Sequence, residues 1–166
     1  MVPRSKISRK RTLILVTLGS TSFPFLRIRS SLDKISKRRY EVVYGFIPPD
    51  KLVTLIKKAD KIIAHAGPGT LHLIAKYSLI MTLIIPRSAK YKEHVNDHQV
   101  YFARHLKKSL PGEAHGFISF DENPEKTINT YLREPNIKNY LNHIFRKAPN
   151  KKLEDYLHNF ISSYEK

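Results

Sequence analysis

Between Ile62 and Ala75 the chain passes from a short apolar run, Ile62-Ile63-Ala64, through His65-Ala66-Gly67-Pro68-Gly69-Thr70, into Leu71-His72-Leu73-Ile74-Ala75. That order reads as a strand, a glycine-containing turn and a helix. It constrains the fold strongly, because a strand that leaves through a helix belongs to a sheet of parallel strands. It also leaves backbone N–H groups free at a helix N-terminus, where an anion is favoured. Glycines let a phosphate approach the backbone closely, and Thr70 adds a hydroxyl donor. A diphosphate-bearing ligand suits such a turn. The plainer alternatives are a loop that merely leads into a helix, and a strand-end His65 satisfied by backbone.

The flanking sequence repeats the alternation. Leu13-Ile14-Leu15-Val16-Thr17-Leu18 is a continuous apolar run ended by Gly19, as in a strand buried on both faces. A small polar loop, Gly19–Ser22, precedes a helical pattern from Phe23 to Lys37, with Phe25, Ile28, Leu32 and Ile35 inward. Glu41–Tyr44 is the next strand, and Pro48-Pro49-Asp50 opens a helix carrying Leu52, Leu55, Ile56 and Ala59. After the glycine turn and a helix to Tyr77 come strand Thr82–Pro86, a polar loop from Arg87 to Asp97, helix His98–Leu106 and a short strand Gly116–Phe120. Three helices are predicted beyond Asn123: Pro124–Leu132, Ile137–Phe145 and Lys151–Tyr164. The chain therefore divides into a basic arm (1–11), an α/β, doubly wound, Rossmann-like domain (12–122) and a C-terminal helical extension (123–166). Ligands of such sheets sit beyond the carboxyl ends of the strands, so the loops Gly19–Ser22, His65–Thr70 and Arg87–Gln99 should converge on one edge.

Composition narrows the setting. The 166 residues are 41% hydrophobic, enough for one domain with a core. The longest apolar candidate, Leu79–Ile85, falls far short of the ~18 consecutive apolar residues of a membrane helix. The basic N-terminus has no apolar segment before a cleavage site, and there is no cysteine, so a cytoplasmic setting is expected. Lys and Arg number 30 against 14 Asp and Glu, a net charge of +16 that attracts polyanions: nucleic acid, anionic lipid headgroups or nucleotide-linked substrates. The runs Lys37-Arg38-Arg39 and Lys57-Lys58 lack interleaved aromatics apart from Tyr40, so they read as solvated faces and not as a nucleic-acid surface.

The loop Glu93-His94-Val95-Asn96-Asp97-His98-Gln99 offers several chemistries. His94 and His98 are four residues apart, the spacing of a helical metal pair, but no third ligand cluster supports one and no metal is expected. Glu93 and Asp97 have the look of paired carboxylates for glycoside hydrolysis, yet on a solvated stretch they read as surface charges or capping groups.

Taken in order, Val16-Thr17-Leu18-Gly19-Ser20-Thr21, Ala59–Thr70, Pro86-Arg87 and Glu93–Gln99 resemble the C-terminal, donor-binding half of glycosyltransferase family 28. The resemblance covers residues 12–120 and is nearest to the small stand-alone subunits of split enzymes. It implies the C-terminal half of a GT-B fold. It places Gly19, Ser20 and Thr21 in the cleft near the diphosphate or the acceptor. His65, Ala66, Gly67, Pro68, Gly69 and Thr70 would hold the donor diphosphate. Arg87 would join the donor site, while His94, Asp97, His98 and Gln99 would face the donor sugar. Three departures stand out. Leu73 occupies a position where many relatives carry a ribose-binding Glu, Leu79-Ile80-Met81 replaces Gly-Lys-Pro, and the region between Ile35 and Pro48 is short, as if one strand were missing or merged.

The expected function follows from the resemblance: a donor-binding catalytic subunit of a two-component glycosyltransferase, active only with a partner. It would transfer a sugar of the GlcNAc or glucuronic acid class from a UDP-sugar to a lipid-diphosphate-linked acceptor, with inversion. No cofactor is implied beyond the UDP-sugar substrate. The partner would be a membrane-anchored subunit like the N-terminal half, supplying acceptor binding and the general base. The chain would then lie peripherally at the cytoplasmic membrane face, its basic surface near anionic lipid. The helix Lys151–Tyr164 is a candidate docking helix. The alternatives are a degenerate, non-catalytic scaffold or regulator and, less favoured, a basic nucleic-acid-binding protein.

Overall fold

The structure, a computed structural model, describes residues 11–19 and 23–147. The basic arm as far as residue 10, the loop residues Ser20 and Thr21, and the helix predicted over Lys151–Tyr164 lie outside the described residues. Four parallel strands, β1 (Thr12–Thr17), β2 (Tyr40–Gly45), β3 (Lys61–Ala64) and β4 (Leu83–Ile84), are ordered β2-β1-β3-β4. The helices between and after them are α1 (Leu26–Leu32), α2 (Pro49–Lys58), α3 (Pro68–Tyr77), α4 (His98–Ser109), α5 (Glu125–Arg133) and α6 (Leu141–Lys147). Helices flank the sheet, as the α/β, Rossmann-like reading requires.

Apolar patterning explains the strand order. Ile14, Leu15 and Val16 of β1 and Ile62, Ile63 and Ala64 of β3 are fully buried, so these strands are covered on both faces. Full burial of each such Ile or Leu side chain favours folding by about 1.5–3 kcal/mol. β2 has no buried residue and forms one edge, with no further strand beside it among the described residues. The register pairs Thr17 with Gly45 and Ala64, and Ala64 with Ile84. The carboxyl ends of all four strands therefore lie level, and the loops that follow them open on the same edge.

Several boundaries differ from expectation. α1 is shorter than Phe23–Lys37: after Leu32 the Ile35 N–H turns back to the Leu32 carbonyl (3.0 Å), which carries Ile35 into the core. Of the strand predicted at Gly116–Phe120, Gly116 and Phe117 end a 3-10 helix, Gly112–Phe117, and only Ile118 pairs with the sheet, as a single parallel bridge to Ile84. The helix predicted from Ile137 begins at Leu141. Ile137 and Asn139 instead bond to the chain at Met81 and Leu79, beside an antiparallel bridge between Lys138 and Ile80. Buried Asn139 fixes this crossing: its Nδ2 donates to the carbonyls of Ile74 and Ser78, and its Oδ1 accepts from the Leu141 N–H.

The described part of the C-terminal segment shares the core. Ile128, Tyr131 and Leu132 of α5 are buried in it, and α6 packs on α3. The Tyr131 hydroxyl accepts from the Ile62 N–H and donates to the Met81 carbonyl, both at 3.0 Å. No helix among the described residues is long and apolar enough to cross a membrane.

Candidate functional site

A cavity of about 500 Å³ opens at the carboxyl edge of the sheet. Gly19 lines it from the end of β1, His65 and Gly67–Thr70 from the turn after β3, and His94, His98 and Gln99 from the loop into α4. These are the loops whose convergence the alternation predicted. Ser20 and Thr21 are not described; Ala66 is fully buried behind the turn. Arg87 and Asp97 do not line the cavity.

Two helix N-termini meet at this cavity, those of α3 and α4. In α3 the first intrahelical bond runs from the Leu71 N–H to the Gly67 carbonyl, so the N–H groups of Gly69 and Thr70 precede it. In α4 the first is Tyr101 to Asp97, which leaves Gln99 and Val100 likewise. Neither helix has a side-chain cap or an acidic residue in its first turn. Asp97 could have capped α4, but its carboxylate accepts from Ser88 Oγ and the Ala89 N–H, both at 2.8 Å. The cavity floor thus carries uncompensated positive dipole ends from two helices.

The glycines play different parts. Gly19 has φ +74°, and a Cβ there would lie 2.7 Å from His65 Nε2. A Cβ on Gly67 would come still closer to Nε2, and within 2.8 Å of Cδ2. Both are therefore needed to house the His65 ring. A Cβ on Gly69 would meet nothing within 4 Å. The protein itself has no need of glycine there.

His65 is 5% exposed, and its Nδ1 lies 3.2 Å from the Thr17 carbonyl. A carbonyl only accepts, so Nδ1 carries the hydrogen and Nε2 presents a lone pair toward the glycine loops. Burial drives its pKa down to about 4; the Thr17 bond opposes this, while the charges of Arg87, His94 and His98 add to it. The ring is neutral at pH 7, whereas a histidine of the unfolded chain titrates near 6.5. Between those values the unfolded chain binds the proton better, so stability falls as pH drops from about 6.5 toward 4, by about 3 kcal/mol in full. Urea denaturation across that window should show a shallower pH dependence in His65→Gln than in the parent chain; equal slopes would contradict this assignment.

The loop from Pro86 to Gln99 is fixed from beneath. Glu93, expected at the surface, is instead 1% exposed and is gripped by Arg27 of α1, with Nε–Oε1 at 2.8 Å and Nη2–Oε2 at 2.6 Å. Arg27 also donates to the carbonyls of Pro86 and Asp121 and lies 4.1 Å from the centre of the Tyr91 ring. The expectation of surface charges fails because a partner 66 positions away cannot be read from local pattern. Arg87 is buried beneath the loop: its guanidinium lies 5.2 Å from the Phe25 ring, and its N–H donates to Gln99 Oε1. It supports the loop and does not face the cavity.

Sequence reasoning missed the apolar end of the cavity. Phe46 (71% exposed), Ile47, Leu52 and Leu73 line the same cavity as the histidines. The signal was present in the large residues after Gly45, but their position at the cavity depends on the strand register. Among the described residues, no three His, Cys, Asp or Glu side chains group as metal ligands do.

The parallel sheet with flanking helices agrees with the comparison to known families. The family model for the glycosyltransferase family 28 C-terminal domain matches residues 8–111, more than half of the chain. Searched against curated proteins and against solved structures, the chain finds no match. Fold and family match agree, and the chain belongs to glycosyltransferase family 28, as its C-terminal, donor-binding domain.

Proposed function

We propose that this chain is the donor-binding catalytic subunit of a two-component, inverting glycosyltransferase. It takes a sugar of the GlcNAc or glucuronic acid class from a UDP-sugar and delivers it to a lipid-diphosphate-linked acceptor. The observation that carries this reading is the meeting of two uncapped helix N-termini on one cavity, with open space above Gly69. The donor diphosphate lies on the amides of Gly69 and Thr70, and the nucleoside lies along the apolar shelf of Phe46, Ile47, Leu52 and Leu73. Leu73 gives the ribose no carboxylate, so base and ribose are held by apolar contact. The sugar faces His94, His98 and Gln99.

In the transfer, an acceptor hydroxyl oxygen attacks the anomeric carbon as the bond from that carbon to the diphosphate oxygen breaks. The electron pair leaves with the diphosphate, where aligned amides and two helix dipoles stabilise it. The hydroxyl proton passes to a base on the partner, a membrane-anchored subunit that closes the cleft and holds the acceptor. The net charge of +16 favours a place beside anionic lipid and an anionic acceptor.

Calorimetry of the full chain with UDP-GlcNAc and UDP-glucuronic acid tests this reading, with Gly69→Ala as the probe. Alanine at this helical position should leave stability unchanged or raise it by about 0.5–1 kcal/mol. The added methyl fills the space assigned to the diphosphate, so affinity should fall at least tenfold. Unaltered affinity, or no binding of either sugar nucleotide to the parent chain, would sink the proposal.

A further inference from the structure

The rings of His94 and His98 meet edge to face at the cavity wall, with centroids 4.4 Å apart, and Phe23 stacks on His94 at 6.1 Å. We infer that this histidine pair is the counter-charge of the anion site: it is neutral when the cavity is empty, and takes one proton from solution when a diphosphate binds. The inference rests on the donor site proposed above, and adds to it the proton that accompanies the ligand.

The surroundings of the pair carry the argument. Arg87, on the loop after β4, places its positive charge near His94, and His65 faces the pair from the end of β3. The cavity-lining residues of α3 and those at the ends of β1 and β2 carry no charge. The two nearby carboxylates are turned elsewhere, Glu93 to Arg27 and Asp97 to Ser88 and Ala89. Only the Asn96 Oδ1 acceptor meets His98, at Nδ1. His94 Nδ1 is shielded from solvent, and among the described residues Asn96 is the one side chain that favours a proton on the His94 ring. Both pKa values accordingly lie below the ordinary histidine value. For His94 the causes are burial and then Arg87, opposed by Asn96; for His98 they are burial and then His94.

A bound diphosphate supplies the negative charge that this surface lacks. Its field raises both pKa values, and the first ring to gain a proton opposes the second, because like charges at this separation repel. One proton therefore enters, not two. In its cationic form the pair meets the charge that grows on the leaving diphosphate during transfer.

Linkage fixes the sign. Proton uptake on binding makes affinity rise as pH falls, by up to about tenfold per pH unit between the free and bound pKa values. Outside that window affinity is flat. UDP-GlcNAc is a suitable probe because its diphosphate is doubly esterified and does not itself titrate near neutrality.

The experiment is calorimetry of the full chain with UDP-GlcNAc in buffers of different ionisation enthalpy, from pH 5.5 to 7.5. Alongside it, NMR titration of the histidine rings is run alone, with UDP-GlcNAc and with inorganic sulfate. Uptake of 0.5–1 proton (on the order of one group titrating), assigned by NMR to His94 or His98 and lost in the His94→Gln/His98→Gln variant, is the result expected. Buffer-independent binding with both rings still neutral overturns the inference while leaving the donor-site reading intact. The same uptake in the double variant also overturns it. If sulfate raises both ring pKa values but UDP-GlcNAc does not bind, the donor-site reading fails and the proton-linked pair stands. If neither ligand moves the rings, both fail.

Discussion

Replacing Glu93 with alanine is expected to lower the stability of the chain by about 3–5 kcal/mol, the cost of leaving a buried charge without its partner. The Arg27 side chain is only 9% exposed and that of Glu93 1%. Without the carboxylate, the guanidinium would keep two carbonyls and the Tyr91 ring as partners, none with a full negative charge. The Ser88 N–H, which donates to Glu93 at 3.3 Å, would be stranded as well. Water entering the site would recover part of this at the expense of the loop geometry. Sugar-nucleotide affinity should therefore fall along with stability, although Glu93 does not line the cavity. Urea denaturation of Glu93→Ala, Arg27→Met and the double variant measures the coupling. Removing both partners should cost less than the sum of the single losses, because the stranded charge goes with its partner. Additive losses would show that the pair is not what holds the loop.

Gly67→Ala is expected to act on the site from the other side. Its methyl would overlap the His65 ring, which is buried and tied to the Thr17 carbonyl, so either the ring or the turn must shift. Overpacking of this kind costs about 1–3 kcal/mol. The larger effect falls on binding: a turn displaced by even 1 Å misplaces the amides of Gly69 and Thr70, and about a hundredfold loss of UDP-sugar affinity follows. A second substitution isolates the cause. In Gly67→Ala/His65→Ala the clash partner is gone, so stability and part of the affinity should return relative to Gly67→Ala alone. Failure to recover would place the requirement for glycine in the backbone itself. The contrast with Gly69→Ala, where no protein atom opposes the methyl, distinguishes a glycine that houses a side chain from one that leaves room for a ligand.

The strands were legible because their signals are local. Leu13–Val16 and Ile62–Ala64 are apolar at consecutive positions, which suits a strand covered on both faces, and the structure extends β1 and β3 over them with a residue or two added at the ends. Pro49 and Pro68 mark the first turns of α2 and α3, where a missing N–H costs nothing. The misread segments depend on distant chain. Gly116–Phe120 has strand-forming residues, but β4 offers only a single bridge, at Ile118, so Gly116 and Phe117 stay in the preceding 3-10 helix and no strand propagates beyond it. Ile137–Asn139 fits a helical pattern and is drawn out by backbone bonds to Leu79 and Met81.

What the sequence by itself determined is the α/β alternation, the glycine turn before α3 and the presence of three loops at the strand ends. Each is written in neighbouring residues, as apolar period, proline or glycine. Only the tertiary structure decided the charges and the contents of the site. It buried Glu93 on Arg27, withdrew Arg87 and Asp97 from the cavity, brought Phe46 to its rim and set His94 against His98. Those outcomes depend on pairings between segments far apart in the chain, where burial and electrostatic partnership are properties of the packed molecule and leave no local pattern to read.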